Sequence, residues 1–127
     1  MVRSYRELLV WRKAKCLATL VYRETETFPR SELFGLTSQM RRAAISIPSN
    51  IAEGQGRVTK GEFRQFLGHA RGSILELETQ LAIACDLGYL EQRAYHMLDS
   101  HTFQILGLIN RLIESLSRAE TLKPSKH

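Results

Sequence analysis

Residues 36–57 read LTSQMRRAAISIPSNIAEGQGR and gather most of the side chains in this chain that could do chemistry. Arg41 and Arg42 are adjacent cations, Ser46 and Ser49 carry hydroxyls, Asn50 an amide and Glu53 a carboxylate, and the run leaves through Gly54 and Gly56. Three kinds of work fit such a set: catalysis, the gripping of an anion by arginine, or close packing of one helix on another.

Catalysis lacks its constellations. A phosphate-cradling loop needs a strand before its glycines and a GK[ST] or GxGxxG pattern; GQGR has neither and reads as a turn. No serine sits in a GxSxG elbow. His69, His96, His101 and His127 form no HExxH or i, i+4 pair, so no metal is expected. Glu76 and Glu78 are two apart, which on a helix aims them in different directions, and no ExxH motif of a di-iron bundle occurs. Cys16 and Cys85 stand singly in apolar-periodic segments and read as free thiols that pack like small hydrophobes. The expectation is a protein that is not an enzyme and holds no cofactor.

Charge points to the second kind of work. The 127 residues carry a formal +5, with 24% charged and 43% hydrophobic residues, ordinary for one globular domain. The excess is local. Residues 1–71 hold 13 Lys/Arg against 6 Asp/Glu, and residues 72–127 hold 5 against 7. Clustered cations neutralise phosphates and release counterions, so a basic half attracts a polyanion. Arg12, Lys15 and Arg23 on the first helix, with Arg57, Lys60 and Arg64 around the turn and start of the third, are the candidate phosphate contacts. Aromatic residues look sparse on these faces, so backbone electrostatics is expected and base stacking is not.

Four helices must position these groups. Ser4-x-x-Glu7 has the form of a capping box opening the first, with Val10, Ala14, Leu17 and Val21 inside and Phe28-Pro29 closing it. Lys15, Thr19 and Arg23, with Arg12 beside them, fall on the opposite face. Ser31 is placed to cap the second, whose seam is Leu33, Leu36, Met40, Ala43, Ile47 and Asn50. Thr59-x-x-Glu62 caps a long third helix carrying Phe63, Phe66, Ala70, Ile74, Leu77, Leu81 and Ala84, which stops near Gly88. The fourth spans about Glu91 to Leu122, through Leu98, Thr102, Ile105, Ile109, Leu112, Leu116 and Ala119. Phe103, Leu106 and Ile113 widen its apolar face beyond one stripe, which suggests burial against another subunit. No strand pattern occurs. Short connections then give an all-α, antiparallel up-down four-helix bundle over residues 1–122, with a flexible C-terminal tail at 123–127. The N-terminus lacks the apolar core of a secretory signal and no run nears the ~20 apolar residues that cross a bilayer, so a cytoplasmic protein is expected and no membrane partner.

Other residues read as contacts. Arg42, Ser46, Ser49 and Glu53 form a stripe opposite the second helix's seam, with Ile45 beside it, and look like an oligomer or ligand surface. Pro48 removes a backbone donor; because the apolar period runs through it unbroken, a continuous kinked helix is expected. Gly68 and Gly72, each costing ~1 kcal/mol in a helix, are expected to allow close approach to Ala43 and Ala44. Asn50 at a seam position reads as a buried group that fixes register.

These blocks, with FLGHARGSILELETQL, CDLGYL and the SYRELLVWRKA opening, closely resemble the bacterial four-helix-bundle family named for proteins encoded in intervening sequences of 23S ribosomal RNA genes, related to the accessory protein of diversity-generating retroelements. The resemblance covers roughly residues 4–118. It implies an antiparallel bundle assembled as a ring-like homopentamer and, for the retroelement relatives, binding of nucleic acid and of a reverse transcriptase through a basic surface. The matching residues are Arg41, Arg42, Ser46, Pro48, Asn50, Glu53, Gly54, Arg71, Gly72, Ser73 and Glu76, several of them suited to packing and assembly. The expected function is non-enzymatic, homo-oligomeric binding of RNA or DNA backbone. The rival is a structural or protein-interaction scaffold in which the arginines make inter-subunit salt bridges.

Overall fold

The computed structural model describes residues 4–121, with side chains to Arg118. The expected tail at 123–127 and the helix end at Leu122 lie outside the described residues, and the seam residue Ala119 lies beyond the described side chains. Four helices follow one another: α1 Leu9–Glu24, α2 Leu36–Gln55, α3 Lys60–Asp86 and α4 Gln92–Thr121. Two 3-10 turns, Tyr5–Glu7 and Arg30–Glu32, precede α1 and α2, and no strand occurs among the described residues. α1 and α3 each pack on α2 and α4, while the backbones of the diagonal pairs stay apart, the arrangement of an up-down four-helix bundle. Among the described residues no helix is long and apolar enough to cross a membrane.

The apolar periods bury much as their spacing requires. Val10, Ala14, Leu17 and Val21 of α1 meet Met40, Ala43, Ile47 and Ile51 of α2, Ile74, Leu77 and Leu81 of α3, and Leu98, Ile105 and Ile109 of α4 in one core. Each fully buried Leu or Ile there contributes about 1.5–3 kcal/mol. Three expected members of the apolar periods, Leu33, Asn50 and Phe66, fall outside it. Leu33 is 48% exposed because it sits in the link before α2. Asn50 is only half-buried, since the core line of α2 passes through Ile47, Ile51 and Gly54 and leaves Asn50 on the flank.

The helix starts show which local signals hold. Thr59 Oγ1 accepts from the Glu62 amide at 3.1 Å, so the third capping signal forms as expected. Gly88, at φ +79°, ends α3 in the left-handed conformation that glycine adopts without strain. Ser4 does cap, but it accepts from the Arg6 amide at 3.0 Å and caps a 3-10 turn; the chain then extends at Leu8 and α1 begins only at Leu9. Its far end also comes early, at Glu24, where Thr25 closes the helix by donating to the Val21 carbonyl at 2.8 Å. Ser31 does not cap α2. Glu32 does so: its Oε1 accepts from the Leu36 amide at 3.2 Å and its Oε2 accepts from the Tyr89 hydroxyl at 3.1 Å. That bond to Glu32 raises the Tyr89 phenol above its ordinary pKa, so the tie between the α1–α2 and α3–α4 links stays intact as the pH rises to the ordinary tyrosine range.

The closest approach of helices is not where sequence placed it. A Cβ at Gly68 or Gly72 would meet nothing within 4 Å, so these glycines face open space and not Ala43 and Ala44. Gly54 is the tight position: a Cβ there would lie 2.7 Å from Phe66 Cβ and 3.0 Å from a Phe63 ring carbon. The GQGR run is therefore only partly a turn, since α2 continues through Gly54 and Gln55 before Gly56 closes it. Pro48 sits within the unbroken α2.

At the opposite end Arg41 ties α2 to the end of α1. Its Nε donates to Thr25 Oγ1 at 2.9 Å, an amino nitrogen donates to the Tyr22 carbonyl at 3.2 Å, and its guanidinium lies 4.7 Å from the Tyr22 ring centroid. Arg41 is thus a packing contact within one chain.

Gly54→Ala is expected to destabilise the fold by about 1–3 kcal/mol through overpacking, whereas Gly68→Ala and Gly72→Ala each stabilise the isolated chain by up to ~1 kcal/mol; denaturant unfolding reads both signs. Arg41→Ala should cost roughly 1–3 kcal/mol by removing charged hydrogen bonds, and Arg41→Lys should restore little of it, because an ammonium cannot bond both oxygens and stack on Tyr22.

Candidate functional site

Arg12, Lys15 and Arg23 lie exposed on the side of α1 away from Val10, Ala14, Leu17 and Val21. The eleven helical steps from Arg12 to Arg23 span about 16 Å. Arg12 donates to the Glu7 carbonyl at 3.4 Å, and Lys15 Nζ stands 5.8 Å from the Trp11 ring centroid. Lys13, on the flank toward α4, donates instead to Gln104 at 3.4 Å.

The second group sits where α2 passes to α3, at the end of the bundle where α1 begins. Arg57 is exposed, 4.6 Å from the Phe66 ring centroid and 3.8 Å from Glu53. Both partners of that ion pair are wet, so it leaves the arginine available to a stronger anion. Lys60 and Arg64 are half-buried at the start of α3. Among the described residues no ion pair engages Arg12, Lys15, Arg23 or Lys60. Because α1 and α3 are diagonal, the bundle spreads these six cations over different faces of one copy, with Arg23 at the far end of α1.

The stripe on α2 divides. Arg42, Ser49 and Glu53 are exposed and Ile45 is 44% exposed, whereas Ser46 turns to α3, its hydroxyl 2.7 Å from that of Ser73. The Asn50 amide donates to the Ser46 carbonyl at 2.8 Å and to the Ser46 hydroxyl at 3.0 Å. Three polar side chains thus satisfy one another between two helices. Beside them runs an open groove of about 480 Å³, lined by Gln39, Arg42, Ala43, Ser46 and Glu76. Arg71 donates to Asn110 on α4 at 3.0 Å. Outward from α3 the open glycines sit among Leu75, 50% exposed, and Ile83; on α4 Phe103 is 75% exposed. Leu106 and Ile113 pack at the edge of the chain's own core, so of the expected excess on α4 only Phe103 projects freely. Cys16 is exposed and Cys85 half-buried, and among the described residues no group of three His, Cys, Asp or Glu could hold a metal ion.

Sequence reasoning missed the aromatic character of the basic surfaces. Trp11 neighbours Lys15, Phe66 neighbours Arg57, and Tyr22 and Phe34 flank Arg41 and Arg42. The helical period hides Trp11 and Tyr22, which lie on the flanks of α1; it counts Phe66 in the apolar line of α3 although that ring stays half-buried beside Arg57, and Phe34 lies in a link. The visible signal was FG after a turn, where the link must leave its phenylalanine outside any helical stripe.

A crystal structure of a protein of unknown function from the S23 ribosomal protein family of Bacteroides thetaiotaomicron has the same fold, with a TM-score of 0.75 at 21% identity over 83% of this chain and 98% of that one. No curated protein matches this chain. The model of the 23S rRNA-intervening sequence proteins matches residues 6–111, which runs from the first turn into α4 and takes in the Ser46–Ser73–Asn50 knot, the Gly54 contact and the Arg41 tie. The chain therefore belongs to the 23S rRNA-intervening sequence protein family.

Proposed function

We propose that this protein is a non-enzymatic, homo-oligomeric bundle that binds the backbone of RNA or DNA through its basic first half. One observation carries the reading: Arg12, Lys15 and Arg23 stand exposed along α1 with no acidic partner among the described residues. Cations held in water on a stiff helix can exchange their counterions for phosphates at small conformational cost. Arg57, Lys60 and Arg64 add a second group at one end of the same bundle.

Spread over diagonal helices, the two groups contact a polyanion weakly from one copy. Repetition around an assembly raises avidity without any new contact type. The open stretch of α3 around Gly68, Gly72 and Leu75, flanked by the exposed Arg71 and Glu76, is suited to receive a neighbouring copy. A ring-like pentamer, and a reverse-transcriptase-type partner on the same basic surface, belong to this proposal through the family resemblance stated above.

The test is binding of labelled RNA and DNA across a salt series. With about four phosphate contacts the affinity falls on the order of 100-fold between about 50 and 200 mM salt, and unrelated sequences behave alike. Arg12→Glu combined with Lys15→Glu flattens the log–log slope by roughly 2. Absence of binding at low salt would leave only the scaffold role.

A further inference from the structure

Between the end of α1 and the start of α2 lies a groove of about 310 Å³ whose walls are mainly apolar. Phe34, on its rim, is 94% exposed, and Tyr22 is 39% exposed. The link that carries Phe34 is braced from three sides: the Gly35 amide donates to the Glu32 carbonyl at 3.0 Å, the Leu36 amide to the Glu32 carboxylate, and that carboxylate also accepts from Tyr89. A large apolar ring is therefore held in water by a stiff scaffold. Among the described residues nothing covers it.

The remaining walls are cationic and hydroxylic. Arg41 is fixed against the Tyr22 ring by its bonds to Thr25 and to the Tyr22 carbonyl. Arg42 beside it is exposed and makes no hydrogen bond or ion pair among the described residues. Thr37, 3% exposed, lines the groove with a buried hydroxyl oxygen that has no hydrogen-bond partner. Ser38 supplies a second hydroxyl. The braced link's own carboxylate, Glu32, is already engaged twice, so the charge presented to a ligand is positive.

We infer that this corner seats an unpaired nucleotide, its base stacked on Phe34 and its phosphate held by Arg42 with the Ser38 hydroxyl. Aromatic faces and guanidinium groups together recognise single strands, because in a duplex the base faces are already covered. Arg23 follows Tyr22 in sequence and opens the row of Arg23, Lys15 and Arg12 along α1, so a strand anchored at the corner has a basic track to follow. The inference rests on the nucleic-acid reading above and narrows it from any backbone to single strands.

The experiment compares a short labelled RNA strand with its blunt duplex on the full chain, by fluorescence anisotropy, for the native protein and for Phe34→Ala, Phe34→Tyr and Arg42→Ala. The single strand binds more tightly; Phe34→Ala weakens it about ten-fold and hardly alters duplex binding, while Phe34→Tyr retains the native affinity. Arg42→Ala lowers the salt slope for the single strand by ~0.7. Since Phe34 is outside the core, the melting temperature stays unchanged. Salt-dependent binding of both probes that is indifferent to Phe34→Ala overturns the corner seat and leaves the backbone reading standing. Failure of both probes to bind at low salt overturns both. A change of oligomer size in Phe34→Ala assigns the ring to a subunit contact and likewise overturns the seat.

Discussion

At Gly54 the second helix comes so close to the third that a methyl group has no room, the nearest atom being Phe66 Cβ at 2.7 Å from where a Cβ would stand. The rest of the bundle depends on that approach. It sets the α2–α3 register, and two turns back along α2 the same register brings Ser46 opposite Ser73, so that their hydroxyls meet at 2.7 Å and Asn50 closes the knot. Polar groups at a helix interface cost free energy unless each finds a partner; here the separation that Gly54 permits lets all three do so. The turn that follows then places Arg57 over the Phe66 ring, at the end of the bundle where α1 starts with Arg12 and Lys15.

The two ends of the bundle are built differently. At one end a glycine brings helices together and cations surround a short turn. At the other, longer links are braced through side chains: Glu32 caps α2 and holds Tyr89, and Arg41 ties α2 to Thr25 and Tyr22. Bracing of that kind fixes a loop without burying it, which is why Phe34 can stay in water on a stiff support. Binding groups on such a support lose little entropy when a ligand arrives.

The core of the fold was legible because burial follows a period: Val10 to Val21 on α1, Ala70 to Ala84 on α3 and Leu98 to Ile109 on α4 all face inward as their spacing requires. Caps made by a residue three positions from its partner, such as Thr59 with Glu62, were legible too. The start of α2 was not, since its capping group is a glutamate side chain that an unrelated loop also holds through Tyr89. Glycine roles were hidden for a similar reason. Gly54, Gly68 and Gly72 look alike in sequence, and only the position of Phe63 and Phe66 across the interface makes the first one tight. Of the candidate site, the cations of α1 were legible as an outward face, but their division from Arg57, Lys60 and Arg64 follows from the diagonal placing of α1 and α3, which no local pattern encodes.

The central claim, that exposed cations on α1 and half-buried ones at the start of α3 meet a polyanion, is tested most directly by mapping lysine acetylation by mass spectrometry with and without bound RNA. Lys15 and Lys60 become protected in the complex and lose that protection as salt is raised, while Lys13, already bonded to Gln104 on the flank toward α4, reacts alike in both states. Equal modification of Lys15 and Lys60 in free and RNA-bound protein would contradict the account.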